Sequence, residues 1–325
     1  MPPAPIDVHR YQLRSGAALN SASHRRCFEG ALIRVGSGYG CVHPWPEFGD
    51  APIEEQLSLL ARDITTPVTA MALRCAQLDG AARESGVSLF AGLEIPRSHY
   101  SWSFAQPAEP QFQRLLTEGW TALKAKGSAN SVETLRFLDD CVSAGKGREL
   151  KLRVDFNGCL DESGFSQFME LMPPHLIQHL DLIEDPFPYD AGLWQQAQKR
   201  WNVRLALDKG WRDGTTGFSA VVVKPARRDW RTVALKHPGL PLILTSAMDH
   251  AIGQMFAAYE AATAKTEISD RIDLCGLCTQ HLFEPDGFFE RLKSPGGHLL
   301  PDLHGGGLGF GDLLERLAWQ RLSSC

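Results

Sequence analysis

Long apolar runs are absent. No stretch of about 18 apolar residues exists, so nothing here is built to cross a bilayer as a helix. The first residues, Met1-Pro2-Pro3-Ala4-Pro5, lack the basic-then-apolar order of a signal peptide, and the expectation is a cytoplasmic protein. Excess positive charge is missing too: a formal net charge of −5 argues against a nucleic-acid binder built on general basicity. The cysteines, at 27, 41, 75, 141, 159, 275, 278 and 325, are too scattered for a disulfide framework and read as small buried hydrophobes. Cys275 and Cys278 form a lone CxxC with only His281 beside it, short of a zinc site. No GxSxG occurs, and no histidines pair at metal spacing. Gly305-Gly306-Gly307-Leu308-Gly309 has neither the preceding strand nor the following Lys-Ser/Thr of a phosphate loop, and reads as turn glycines. Arg227-Arg228-Asp229-Trp230-Arg231 reads as a solvated helix face.

What is present is an ordinary globular composition, 43% hydrophobic and 22% charged, enough for a large core. Residues 7–14 and 29–35 alternate as two strands of an antiparallel hairpin. The small, polar residues 15–26 between them predict a mobile loop that closes over a site. Gly36 to Asp50, rich in Gly, Pro and aromatics, predicts a long ordered loop that either faces a site, bringing His43 near substrate, or packs on the surface. Amphipathic helices are expected over 53–62 and 67–85. Then the rhythm changes. Nearly all-apolar strands alternate with helices for eight cycles, the last strand a weak one near 277–279, which argues a parallel sheet covered by helices and closed as a barrel. The Gly/Pro-rich tail ends in a helix expected over 312–322. The expected fold is therefore α/β, a TIM-type (β/α) barrel over 96–284. An α+β capping domain over 1–95 precedes it, and a segment over 285–325 returns to the cap.

In such barrels chemistry sits at the C-terminal ends of the strands. The last polar residues there are Lys124 and Lys126, Asp155 and Asn157, Glu184, Asp208 and Lys209, Lys224, then Ser246 and Asp249. Polar loops place a charge or two at strand ends by chance. Three acids on three consecutive strands, with lysines on the strands to either side, are a stronger signal. Converging carboxylates repel one another unless a cation neutralises them, and an oxygen-only set suits Mg²⁺, with Mn²⁺ as the alternative. A divalent ion on a substrate carboxylate stabilises the charge that builds when the adjacent carbon loses a proton. The base is then a neutral amine, its pKa lowered by the metal and by a second lysine. Lys124 and Lys126, two apart on a strand, face the same way. Strand alternation puts Arg153 on Asp155's face one step deeper, where a buried arginine needs a partner.

Lys124-Ala125-Lys126, Arg153-Val154-Asp155-Phe156-Asn157, Ile183-Glu184-Asp185-Pro186-Phe187, Asp208 and Val223-Lys224-Pro225 together resemble the enolase superfamily, in its muconate-lactonizing-enzyme group. Gly38 to Glu47, Arg153 and Thr245-Ser246-Ala247-Met248-Asp249 make the chain most similar, within that group, to the o-succinylbenzoate synthase family. The resemblance implies a cap over the barrel mouth and Mg²⁺ on Asp155, Glu184 and Asp208. It implies Lys126 as the base that also protonates a departing hydroxyl, and Lys224 as an ammonium stabilising a ring-delocalised anion. Lys124, Asn157, Arg153 and Asp249 would support the site, and Ser246 with its neighbouring backbone would hold a succinyl arm. The substrate is then a small carboxylate losing water, in menaquinone biosynthesis. The alternative is an N-acylamino acid racemase or dipeptide epimerase on the same scaffold. One departure is Lys209, where relatives carry an acid.

Overall fold

The computed structural model describes residues 5–19, 24–102 and 108–323. It opens with an antiparallel sheet: β1 (Ile6–Arg14) pairs in full register with β2 (Cys27–Val35), from Ile6 opposite Val35 to Arg14 opposite Cys27. The expected loop over 36–50 begins instead as a third strand, β3 (Gly38–Val42), paired with β2. Its glycines are a packing requirement, not a sign of loop. The helices α1 (Ile53–Leu60) and α2 (Pro67–Glu84) cover this sheet. A Cβ on Gly38 would sit 1.8 Å from the carbonyl oxygen of Ala76, and one on Gly40 2.1 Å from that of Ala72. Strand and helix backbones touch there. Thr66 caps α2, exchanging hydrogen bonds with Thr69, and Pro67 begins it. Val8, Ala31, Ile33, Val42, Leu57 and Val68 fill the space between sheet and helices.

The second unit alternates strand and helix: β4 (Tyr100–Trp102), α3 (Ala108–Thr117), β5 (Ala122–Lys126), α4 (Ser131–Ala144), β6 (Lys151–Asp155) and α5 (Glu162–Leu171). There follow the short α6 (Pro174–Ile177), β7 (Leu180–Glu184), α7 (Ala191–Trp201), β8 (Leu205–Leu207) and β9 (Ala220–Val223). Then come α8 (Trp230–Lys236), β10 (Leu242–Leu244) and α9 (Ala251–Glu267). Among the described residues β4 to β10 form one parallel seven-stranded sheet in sequence order. The eighth position lies at 272–276, ahead of the expected 277–279, and is an extended segment with isolated bridges. Ile272 pairs with Leu242 and Gly276 with Thr245 on one edge, and Cys275 pairs with Ser98 on the other. These bridges join the two edges of the sheet, giving the TIM-type barrel. The inward-facing layer below the mouth is Leu182, Ala206, Ala220, Val222 and Ile243, whose small members let the strands close.

The tail returns to the cap, but as a strand. The helix expected over 312–322 stops after α10 (Gly311–Leu314), and β11 (Gln320–Arg321) adds to the free edge of β1. Trp319 makes the difference: its ring lies 5.4 Å from Tyr39 and under Arg34, which draws the chain onto the sheet edge. The glycine run is a turn, pinned by α2. Asp79, fully buried, accepts from the backbone N–H of Leu308 (2.6 Å) and of Tyr39 (2.9 Å), and Arg83 donates to the carbonyls of Gly305 and Gly309.

Gly40→Ala should test the close contact of β3 with α2. The expected loss is about 3 kcal/mol, the upper part of the overpacking range. A urea midpoint equal to wild type would show that α2 slides aside and that the glycine is not required.

Candidate active site

Period-two alternation explains how the site is built. Each barrel strand turns every second residue inward. On β7 these are Leu182 then Glu184; Ala206 in β8 is followed by Asp208 just past its end, and Val222 in β9 by Lys224 just past its end. The lower member fills the barrel and the upper one reaches the mouth. Register sets them side by side: Lys126 is opposite Asp155, and Asp155 is opposite Glu184. Lys124, Lys126, Asp155, Glu184, Asp208 and Lys224 thus line one cavity of about 690 Å³, measured out to its open mouth. Asn157 and Ser246 line it as well.

Lysines stand between the acids. The Lys124 ammonium donates to Glu184 at 2.7 Å and lies 3.0 Å from Asp155, and Lys126 donates to Asp155 at 2.6 Å. Lys224 is paired with Asp208. Among the described residues no three Asp, Glu, His or Cys side chains are gathered into a ready ligand set. The electrostatics follow from this arrangement. Burial works against charge on Asp155, but Lys124 and then Lys126 hold its carboxyl far below the usual range. Asp208 is likewise held down against burial by Lys224. Glu184 goes the other way, pushed up first by burial and then by the Asp155 charge. At Lys124 burial opposes the charge, yet Asp155 and Glu184 keep the ammonium above the ordinary lysine range.

Supporting groups fix the tips. Asn157, at positive φ, donates from its backbone (3.1 Å) and side chain (2.8 Å) to Oδ1 of Asp155. Asp185 was quoted above only as part of its motif, with no role given to it. It accepts from the backbone N–H groups of Asp208 (3.1 Å) and Lys209 (3.0 Å), and so sets the end of β8. Its only trace in the sequence is an acid directly after Glu184. Lys209 spans the cavity rim from the carbonyl of Asn157 to the ring of Phe48.

Two expected site residues lie outside the cavity. Arg153 is 1% exposed and sits beneath it, and a bulge in β7 supplies its partner. Leu152 pairs with Leu180 but Arg153 with Leu182, so Asp181 is the extra residue. Arg153 bonds Asp181 at 2.6 Å and Asp273 at 2.9 Å, and Arg204 bonds the same two acids. Asp249 is fully buried before α9, folded under Cys41 of β3, with its carboxyl pushed up to about 7 by burial. His43 also lies back from the cavity, bonded to the Tyr11 hydroxyl at 2.8 Å. The cap loop that carries it docks on the barrel: the Trp45 indole donates to the carbonyl of Ala247, and Arg227 pairs with Asp50. Arg228 is not on a solvated face; it is half-buried over the Trp211 ring. Leu19, from the loop over 15–26, lines the mouth; residues 20–23 of that loop lie outside the described residues, as do 103–104 of the first barrel strand, expected over 99–104. Cys275 and Cys278 are buried thiols, each pushed up to about 12 by burial.

Residues 6–82 match the family model "O-succinylbenzoate synthase, N-terminal domain". An o-succinylbenzoate synthase from Bdellovibrio bacteriovorus is 31% identical, with 98% of each chain covered. The chain belongs to the o-succinylbenzoate synthase family. It is thus a lyase-type enzyme. Solved structures agree on the fold. A mandelate racemase/muconate lactonizing protein from Herpetosiphon aurantiacus superposes with a TM-score of 0.74 at 18% identity, covering 95% of this chain and 98% of that one. A dipeptide epimerase from Enterococcus faecalis, solved with Mg and a dipeptide, gives 0.73 at 15% identity, covering 95% and 99%.

Lys124→Met leaves Asp155 and Glu184 buried without their shared counter-ion. In the presence of a chelator it should cost about 3–5 kcal/mol in urea unfolding, the loss on breaking a buried ion pair. A loss below about 1 kcal/mol, the level of a surface pair, would contradict that picture of the site.

Proposed function

We propose that the protein eliminates water from 2-succinyl-6-hydroxy-2,4-cyclohexadiene-1-carboxylate to give o-succinylbenzoate, as a Mg²⁺-dependent step of menaquinone biosynthesis in the cytoplasm. The observation that carries this is the pair of lysines, Lys126 on β5 and Lys224 beyond β9, with three carboxylates on the strand ends between them. The match to a named o-succinylbenzoate synthase along the whole chain supports it.

Asp155, Glu184 and Asp208 are the metal ligands in this reading. They offer oxygen donors only, and the Glu184 carboxyl, raised by burial and by Asp155, is a group that a further cation would relieve. That donor set fits Mg²⁺, and Mn²⁺ suits the same oxygens. When bound, the ion supplies charge stabilisation to the substrate carboxylate as the neighbouring carbon becomes electron-rich.

The chain's own residues do the rest. Lys126, as a neutral amine, takes the proton from the ring carbon bearing the carboxylate. The C–O bond to the hydroxyl on the same face then breaks, and Lys126 returns that proton to the leaving oxygen. The ring gains its aromatic double bond, water departs, and Lys126 is again neutral. Lys224 stays protonated near the ring and stabilises the spread negative charge. Lys124 and Asn157 keep Asp155 and Glu184 in place. Arg153 holds the barrel floor on which these side chains stand, and Ser246 faces the succinyl arm from the far wall.

Loss of diene absorbance with Mg²⁺, and its arrest by a chelator, is the expected result. Lys126→Ala should lower kcat about a thousandfold, within the range for general acid–base groups. An intact diene signal with wild-type enzyme and metal would sink the lyase reading. The lysines on two facing walls favour one other reaction, racemisation or epimerisation with a base on each face. Deuterium exchange into both enantiomers of an N-acylamino acid would then be seen.

A further inference from the structure

A second cavity adjoins the first on the side of the β8 and β9 tips. It measures about 1090 Å³ out to its open mouth, and the two share Phe48, Asp208 and Lys224 in their walls. Lys209, Lys224, Arg227 and Arg228 line it, against the acids Glu47 and Asp208. Most of that charge is already matched. Lys224 is paired with Asp208, Arg227 with Asp50, and Glu47 with Arg25. Lys209 and Arg228 are left over. Among the described residues neither forms an ion pair; their contacts are a carbonyl and two aromatic rings.

The rings hold the two cations in place. β8 and β9 are paired neighbours, so the residues past their ends stand side by side. Lys209 directly follows Asp208. Its ammonium lies 4.7 Å over the Phe48 ring and donates to the carbonyl of Asn157 at 3.3 Å. Arg228 is carried by the turn after Lys224, to whose carbonyl its backbone N–H donates at 3.1 Å. Its guanidinium lies 4.1 Å over the Trp211 ring. An arginine stacked on an indole face keeps the edge of its N–H fork for a further partner. Burial holds this guanidinium below the ordinary arginine range, and Asp208 offsets only part of the effect. A half-buried cation short of counter-charge is stabilised by an anion that reaches it. The chain as a whole carries a formal net charge of −5, so a cavity with two cations to spare runs against the protein's own sign.

We propose that Lys209 and Arg228 form a binding site for a small oxyanion, a dicarboxylate or a phosphate, in this second cavity, behind the Asp208–Lys224 pair. The site goes beyond the lyase reading and stands whether or not that reading holds. The arginine fork matches two oxygens of one carboxylate or phosphate, and the lysine adds a point charge. Lys224 and Arg227 on the same wall are held by their own acids, so an incoming anion is shared by the two cations that have none. The lysines of the first cavity do not compete for it, because Asp155, Glu184 and Asp208 already occupy them.

Calorimetry with succinate and with inorganic phosphate tests the site, on enzyme stripped of metal by a chelator and then dialysed. Wild type should bind one anion at low salt and bind it more weakly as salt is raised. The tighter of the two probes names the class of ligand. Arg228→Met and Lys209→Met should each weaken binding by about tenfold or more, the loss of a hydrogen bond to a charged group. Arg228→Lys, which keeps the charge, should retain part of the affinity, so that an unstable Arg228→Met does not decide the matter alone. Lys126→Met, in the first cavity, should bind the anion as wild type does. Adding o-succinylbenzoate with Mg²⁺ separates two sources of the oxyanion. Binding of both ligands together assigns the site to a separate small acid. Displacement of succinate, with weaker binding of o-succinylbenzoate by Arg228→Met, assigns it to that ligand's own terminal carboxylate. Wild type that binds neither probe at millimolar concentration overturns the site. So does unchanged affinity in Arg228→Met and Lys209→Met, or binding lost in Lys126→Met and kept in Arg228→Met, which would put the anion among the lysines of the first cavity.

Discussion

Like charges brought together out of water are the constraint on which this structure turns. Three carboxylates reach the mouth of one barrel from neighbouring strands, and burial denies them the solvent that would screen them. The protein answers with ammonium groups of its own: Lys124 shared between Asp155 and Glu184, Lys126 on Asp155, Lys224 on Asp208. The same lysines are the groups a proton-transfer reaction needs. Charge balance and the proposed chemistry would therefore be met by one set of side chains, and a change to any of them would disturb both. The fold below serves the same end. The inward layer is apolar and small, and Arg153, beneath the cavity, is matched by two acids that a second arginine also holds.

The cap completes the enclosure through few but well-placed contacts. Trp45 donates to a carbonyl next to Ser246, Asp50 meets Arg227 just past Lys224, and Phe48 stands at the mouth under Lys209. Each contact lands within three residues of a strand tip that lines the cavity. Movement of the cap loop is thereby tied to the residues that would touch substrate, which is how a small α+β unit shapes a site built almost wholly on the barrel.

Much of this was legible in the sequence, because it follows from local pattern. Alternation on short apolar strands shows which residue is the last to face inward, and the acids and lysines fall there. What alternation could not show was anything set by distant backbone. The partners of Arg153 depend on one extra residue in β7 and on an acid in the closing segment, so a regular strand pattern hides them. The strand β3 was hidden by its glycines, whose cause is the approach of α2. The last helix was overdrawn because Leu313, Leu314 and Leu317 repeat with helical spacing. The indole of Trp319, packed on Tyr39 and Arg34, instead ends the chain as a strand.

That last strand orders events during synthesis. β11 lies beside β1, so residues near the two ends of the sequence are neighbours in one sheet. Asp79 of α2 also waits for the backbone of Leu308. A nascent chain emerging from the ribosome presents the cap's hairpin and helices first, then every barrel strand, and only then the residues that finish the cap. The cap sheet beside the candidate site is begun first and completed last. Until residues 320–321 have been made, the edge of β1 that they cover is unpaired and the cap is one strand short.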